Sequence, residues 1–183
     1  MMDRWFAAGV RLLAVGTLVA LAACGSPSRP ITLEDRDDAL EFQQMLKDSS
    51  NSVNELLRDT QRGKSISEFS AGMLAFDILT TVSSVDPGLH DYFTAGGKDI
   101  EDYLKTRFQD HPDDEIATLA KMSDEGHPTL RVAARYTLEM LAHVPDSHDN
   151  PAMQKTNREQ LENALQETKA ALDKAAGEIE IPN

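Results

Sequence analysis

The sequence has few cysteines and few aromatic residues, and each shortage excludes a kind of core. Cys24 is the only cysteine among the 183 residues, so no disulfide can form within the chain and packing alone must hold the core. Aromatic residues make up 5% of the chain, and Trp5 is its one tryptophan. We therefore expect a core built mainly from Leu, Met, Ile, Val and Ala.

Basic residues are also scarce. The chain has 18 Lys and Arg against 31 Asp and Glu, which gives a formal net charge of -13. This charge argues against nucleic acid as a partner, because its phosphates require Lys and Arg. It also argues against a domain surface lying flat on anionic lipid. An acidic surface favours solubility and by itself specifies no partner.

The N-terminal residues have the three parts of an export signal. Arg4 and Arg11 precede an apolar run at 12–20, and small residues follow at Ala22 and Ala23. A charged start, a short apolar stretch and a small-residue cleavage point are typical of a secretory signal. The apolar run is too short for a transmembrane helix, which needs about 20 residues.

The tetrad Leu21-Ala22-Ala23-Cys24 resembles the lipobox of bacterial lipoproteins, and the resemblance covers residues 1–25. It implies cleavage before Cys24, a diacylglyceryl group on the thiol and an acyl chain such as palmitate on the new amino group. Two or three acyl chains anchor a protein stably, whereas one does not. The alternative is an ordinary secretory signal cut after Ala23.

The resemblance also predicts where the protein resides. A lipoprotein lies in the bacterial cell envelope, attached to a membrane by its N-terminal lipid. In enteric bacteria, Asp after the cysteine retains a lipoprotein in the inner membrane. Gly25 occupies that position here, which favours the outer membrane, facing the periplasm, if the source has two membranes.

Composition and pattern divide the chain into four segments. We expect a cleaved signal peptide at 1–23, a lipidated tether at 24–31, an α-helical domain at 32–177 and a flexible tail at 178–183. Pro27 and Pro30 disfavour helix in the tether. No part of the helical domain alternates convincingly as a strand. The sequence therefore predicts an all-α fold, a single irregular bundle of about five to seven helices.

The first predicted helix begins at a capping box formed by Thr32 and Asp35, and Gly63 suits its end. The segment 48–52 consists of poor helix formers, so the helix is either continuous or broken there. Its apolar residues recur at helical spacing, which predicts that this stripe faces the core: Leu33, Leu40, Met45, Leu46, Val53, Leu56 and Leu57.

The second predicted helix opens at Ser67 and Ser70 and ends at Asp86-Pro87-Gly88. Its apolar residues cover most of the circumference, which is typical of a buried central helix. Those residues are Phe69, Met73, Leu74, Phe76, Ile78, Leu79, Val82 and Val85.

Further helices are predicted at 99–110, from Asp113, from Pro128 to about Val144, and from Ala152 to about Gly177. The last carries a seam with alternating spacings of four and three, formed by Leu161, Leu165, Thr168, Leu172 and Ala175. The seam is too short to argue for a coiled coil, so it favours a C-terminal helix packed on the bundle.

Residues 113–144 resemble a HEAT-type helical hairpin. Asp124, Pro128 and the pair Arg131-Val132 stand between and within two apolar helices, as that family has them. No second copy follows at a fixed period, so a solenoid is not supported. An ordinary two-helix hairpin in a globular bundle is the favoured alternative.

Motifs for catalysis or metal binding are weak. Gly63-Lys64-Ser65 imitates the end of a phosphate-binding loop, but Arg58 replaces the required glycine and a helix precedes it. Zinc needs three or four converging ligands, and each histidine cluster supplies about two. We therefore predict no metal and no cofactor. The clusters are His111 with Asp113, Asp114 and Glu115, and His143 and His148 with Asp146 and Asp149.

An acidic run crowds the predicted first helix: Glu34, Asp35, Asp37, Asp38 and Glu41. It could dock a basic partner or bind calcium, but the EF-hand spacing is absent. Acidic residues in a first helical turn also stabilise the helix dipole, and this explanation is preferred.

These observations favour a non-catalytic, membrane-anchored envelope lipoprotein that acts as a protein-binding adaptor, assembly factor or inhibitor. Its only predicted modified residue is Cys24, its only predicted membrane contact is the lipid, and its protein partner is unspecified. One alternative is a lipoprotein that binds a small ligand or metal. Another is a hydrolase whose catalytic groups are distant in sequence.

Overall fold

The computed structural model describes residues 29–122, 126–145 and 150–183, and the predicted all-α class is confirmed. Cys24 and the predicted signal peptide lie outside the described residues. None of the described helices is long and apolar enough to cross a membrane. The elements are β1 (Ile31–Thr32), α1 (Arg36–Gln61), α2 (Glu68–Ser83), α3 (Pro87–Phe93), α4 (Ile100–Tyr103), a π-helical turn (Leu104–Phe108), α5 (Pro112–Lys121), α6 (Pro128–Ala142), α7 (Pro151–Gly177) and β2 (Ile179–Glu180).

The four long helices form an up-and-down bundle. Helix α7 packs on both α1 and α6, and α2 packs on α6 and α1, so the four helices close a ring. Gln43, near the start of α1, donates a hydrogen bond of 3.0 Å to the carbonyl of Ala176, near the end of α7, so these two helices are antiparallel. The short helices α3 to α5 connect α2 to α6 along one side.

The bundle has two ends, which we call the basal pole and the distal pole and define by the residues found there. At the basal pole, the ring of His127 contacts the carbonyl of Arg29, and β1 lies beside the end of α7. At the distal pole, the end of α1 approaches the start of α7, where Gly63 lies beside Arg158. The chain therefore enters the described structure at the basal pole.

Helix α1 is continuous through its poor helix formers because one of them is used in packing. Ser50 is buried against α7, and its hydroxyl donates a hydrogen bond of 2.5 Å to Asp173 Oδ1. Burial raises the pKa of Asp173, but hydrogen bonds from Lys169 and Ser50 outweigh it, and the net pKa is lowered. This tertiary contact offsets the low intrinsic helix propensity of the segment.

Two details of the α1 prediction are corrected. Asp35, rather than Thr32, caps the helix, because its carboxylate accepts from the backbone of Asp37 and Asp38. Leu40 and Met45 are 43% and 40% exposed and do not face the core. The apolar residues of α1 that are buried are instead Ala39, Phe42, Leu46, Val53 and Leu57.

Helix α2 begins at the predicted Ser67 cap, whose side chain accepts from the Ser70 backbone. The sequence predicts that α2 is buried on all sides, and this prediction is wrong. Phe69 is 77% exposed and Met73 is 48% exposed, because no helix of the ring covers this face. The residues that reach the core are Ala71, Ala75, Ile78, Leu79 and Val82.

Helices α5 and α6 form the expected hairpin, and α7 packs as predicted. Pro128 is the first residue of α6, as expected for a proline that lacks a backbone donor. Helix α5 starts at Pro112 rather than at a cap from Asp113. The α7 seam is buried at every predicted position, namely Leu161, Leu165, Thr168, Leu172 and Ala175.

The predicted tether and tail meet at the basal pole. Ile31 pairs with Ile179 in a two-stranded parallel sheet, and both side chains are buried. The sequence predicts neither strand, and it assigns Ile179 to a loose tail. Two isoleucines covering the end of the core are the physical reason that these segments are held.

A buried ion pair joins the α2–α3 turn to the start of α6. Asp86 is fully buried, and its carboxylate accepts from Arg131 Nε at 3.3 Å, from Leu89 N at 3.1 Å and from His127 N at 2.9 Å. A Cβ added at Gly126 would overlap the charged groups of both Asp86 and Arg131. Glycine is therefore required there to let the chain pass over the pair.

Candidate functional site

An open apolar groove of about 680 Å³ lies along the first half of α2. One wall is α2, and the other is α4 with the π-helical turn. The remaining edge comes from the start of α5 and the end of α6. This volume is in the range of ligand and anchor sites in proteins. The residues lining it are Glu68, Phe69, Gly72, Met73, Phe76, Glu101, Leu104, Lys105, Phe108, Gln109, Pro112, Leu141, Ala142 and Val144.

The α2 wall is a helical stripe that none of the described helices covers. Phe69, Met73 and Phe76 are spaced by four and three residues, so they lie on one face over about 10 Å of helix. A Cβ added at Gly72, between them, would meet no atom within 4 Å. The stripe therefore exposes two large apolar side chains, Phe69 and Met73, beside Gly72, where the backbone of another chain can approach closely.

The opposite wall is the π-helical turn. Leu104, Lys105 and Phe108 line the groove from this turn, with Phe108 buried beneath and Lys105 at the rim. Arg107 belongs to the same turn, but it points away from the groove to Glu115 and to the carbonyl of Tyr92. A wide turn of this kind is frequent at functional sites.

A buried polar cluster supports the wall from behind. Glu115 of α5 is 6% exposed and accepts from Tyr92 Oη, from Tyr103 Oη at 3.0 Å and from Arg107 Nε at 2.8 Å. These bonds join α3, α4, the π-helical turn and α5 at one carboxylate. A buried charge is tolerated because it is paired and hydrogen-bonded.

The aromatic rings of this cluster reinforce it. Tyr92, Phe93 and Tyr103 pack edge to face, with centroids 4.9–6.0 Å apart. The Arg107 guanidinium lies 4.5 Å from the centroid of Tyr92. Burial, with the hydrogen bond to Glu115, raises the pKa of Tyr92 to about 12, and burial also raises that of Tyr103. Both phenols are therefore neutral donors at neutral pH.

The rim of the groove is acidic. Glu68 and Glu101 line it from two different helices, and Lys105, the one cation among the described lining residues, is paired with Glu101. Helix α2 carries Glu68 and Asp77 and no basic residue. In the described part of the chain, the lining residues include no histidine, cysteine, serine or threonine. The groove thus offers apolar contact and negative charge, and no nucleophile with an adjacent base.

A smaller polar recess of about 360 Å³ lies at the distal pole between the end of α1 and the start of α7. Gly63, Lys64 and Ser65 line it together with Arg158. Gly63 has a φ of 75° and ends α1, and Lys64 Nζ pairs with Asp59 Oδ1 at 2.6 Å. This geometry is a helix stop, so the imitation of a phosphate-binding loop is coincidental.

The residues weighed for metal binding are not brought together. His111 is exposed, and its Nδ1 lies 4.0 Å from Asp114 Oδ2. No three His, Cys, Asp or Glu side chains converge within 29–122, 126–145 and 150–183. The acidic run at 34–41 is exposed, and Asp35 in it serves as the α1 cap. Cys24, Asp146, His148 and Asp149 lie outside the described residues.

Neither the groove nor the Glu115 cluster was predicted from the sequence. Glu115 follows Asp113 and Asp114 and so resembles one more acidic residue of a first helical turn. Gly72 was the available signal for the groove, because a glycine inside an apolar helix lowers helix stability and leaves space beside the backbone.

The chain matches no family model, no curated protein and no solved structure. The geometry of the groove is therefore the basis for assigning a function.

Proposed function

We propose that this chain is a non-catalytic, lipid-anchored lipoprotein of the bacterial envelope that binds another protein through the α2 groove. One observation carries the proposal: Phe69 and Met73 are 77% and 48% exposed on the wall of a groove of about 680 Å³. Large exposed apolar residues clustered in a groove mark interaction sites, whereas scattered ones do not. Adaptor, assembly factor and inhibitor are the roles that such a site serves.

The position of the groove suits an anchored protein. In this proposal the lipid on Cys24 holds the basal pole near the outer membrane, since Arg29 lies at that pole. Helix α6 runs from the basal pole to the groove, and its 15 residues rise about 22 Å. The groove would then face away from the lipid, where a periplasmic partner can reach it.

The chemistry of the groove supports binding over catalysis. Acid–base and nucleophilic catalysis require a nucleophile, a base and an orienting group within hydrogen-bond reach of one another. Among the described lining residues, the only ionisable groups are Glu68, Glu101 and Lys105. Glu101 and Lys105 neutralise each other as a pair.

In-cell cross-linking tests the proposal. Wild type, Cys24→Ser and Phe69→Asp would be expressed in a native-like host, cross-linked and purified, and co-purifying proteins identified by mass spectrometry. Met153→Asp is the matched control, because Met153 is 50% exposed on α7 and outside the groove. We expect one partner to be retained by wild type and Met153→Asp, lost with Phe69→Asp and weakened with Cys24→Ser. Absence of a specific partner from wild type refutes the proposal.

Binding of a small ligand is the second candidate, and the volume of the groove favours it. A thermal-shift panel of lipids, small apolar molecules and divalent cations tests it. A ligand at 100 times its Kd adds about 2.7 kcal/mol of stability. A shift that disappears in Phe69→Asp would favour this candidate, and no shift across the panel would reject it.

A further inference from the structure

The groove is shaped for an α-helix. Phe69, Met73 and Phe76 repeat the spacing with which one helix packs on another. Phe76 is partly buried against the core, yet Phe69 and Met73 stay exposed, uncovered by any helix of the ring. Gly72 leaves open space in the middle of this stripe. Two walls, α2 and the π-helical turn, flank the space, as in grooves that receive an amphipathic helix.

The charge around the groove determines which residues are favoured beside the apolar face of that helix. Glu68 stands on the α2 wall, and α2 has no cation to neutralise Glu68 or Asp77, whereas Glu101 on the other wall is paired with Lys105. The segment 98–121 forms the other wall and its support, and apart from the buried Arg107–Glu115 pair it holds six Asp and Glu against three Lys. Complementary charges steer encounter and fix orientation, so basic residues beside the apolar face of the partner are favoured.

We infer that the partner presents an amphipathic α-helix whose apolar face enters the groove and whose flanking positions carry Lys or Arg. This inference rests on the proposed function and names the chemistry of its partner. The acidic rim disfavours an acyl chain with a carboxylate or phosphate headgroup. It also disfavours a second copy of the chain, because each copy carries a net charge of -13.

Gly72→Leu is the sharpest variant with which to test the inference. The new side chain would extend into the groove from a position where a Cβ meets no atom, so it blocks the site without crowding the core. Replacing a helix-interior glycine also favours the helix, so we expect an unchanged or higher Tm. Gly177→Leu is the matched control, because Gly177 is also helical and open but lies at the basal pole.

The probe is a displayed library of 18-residue peptides with apolar residues at helical spacing and all other positions randomised. It would be selected on the full chain, purified from the membrane fraction of the host and reconstituted in nanodiscs of neutral lipid. We expect the enriched peptides to carry net positive flanks. They should bind Gly72→Leu at least about tenfold more weakly than wild type and bind Gly177→Leu as wild type does. Their affinity should fall with salt and with Glu68→Lys.

Several outcomes overturn the inference. These are no enrichment, enrichment of neutral or acidic flanks, or equal binding to Gly72→Leu. Palmitate binding or self-association that Gly72→Leu abolishes would also overturn it, by assigning the groove to a lipid or to a second copy. If the peptides fail while cells still yield a partner lost with Phe69→Asp, the helix inference falls and the proposed function stands. If cells yield no partner, the proposed function falls whatever the peptides do.

Discussion

Removal of the Asp86 carboxylate is expected to destabilise the fold more than any surface substitution. In Asp86→Ala, the α3 cap at Leu89 N is lost, which alone costs about 1 kcal/mol. Arg131 is left buried without its counter-ion and His127 N without its acceptor, and breaking a buried pair costs about 3–5 kcal/mol. The effects share one carboxylate, so we expect a total of about 3–5 kcal/mol rather than their sum.

Urea denaturation followed by far-ultraviolet circular dichroism measures this loss. With a slope of about 2 kcal/mol per molar urea, the midpoint should fall by about 2 M. Asp77→Ala, an exposed acid on α2, is the control and should change stability by less than about 0.5 kcal/mol.

The double variant Asp86→Ala, Arg131→Met isolates the buried charge. Because the unpaired cation is removed with its partner, the double variant should be more stable than Asp86→Ala by at least about 1 kcal/mol. A midpoint shift below about 0.5 M in Asp86→Ala, or no recovery in the double variant, would refute the reasoning.

Three further predictions follow from buried contacts. Gly126→Ala should cost about 1–3 kcal/mol by overlap with the Asp86 pair, and thermal denaturation showing no loss would contradict this. The stability that Tyr92 and Tyr103 contribute should be fully present below about pH 10, where unfolded tyrosines ionise, and be lost as pH rises through their raised pKa values, about 12 for Tyr92. Tyr103→Phe should flatten that loss in urea titrations from about pH 9 to about pH 12, and an unchanged slope would count against the assignment. Asp173 has a lowered pKa, so its ionised form contributes stability above about pH 4 that is lost as pH falls. Because Ser50 donates to this carboxylate, Ser50→Ala should cost about 1 kcal/mol of unfolding free energy at pH 7 and less at pH 3. Equal costs at both pH values would contradict this prediction.

Helical periodicity predicted the fold class and the interior of most helices. Leu161, Leu165 and Leu172 are buried as their spacing indicates, because α7 has neighbours on that side only. The caps at Ser67 and Pro128 were also predictable, since they depend on local backbone chemistry. Helical periodicity and capping chemistry were enough to predict a residue's burial or role where its own helix determines its environment.

Contacts distant in sequence could not be predicted. The apolar pattern of α2 does not reveal which neighbours the bundle supplies, so Phe69 was predicted to be buried and is 77% exposed. Ser50 reads as a helix breaker until its partner Asp173, 123 residues away, is known. Glu115 is likewise an ordinary acid until Tyr92, Tyr103 and Arg107 surround it.

The pairing of the two ends of the chain has a kinetic consequence. Ile31 lies against Ile179, and α1 packs along α7, so the first and last elements must find each other before the ring closes. Closure of so long a loop delays the step that buries the apolar faces of both helices. A chain emerging from its N-terminus cannot complete its core until α7 has followed. Such a domain stays open, and therefore threadable through a narrow pore, until α7 has emerged.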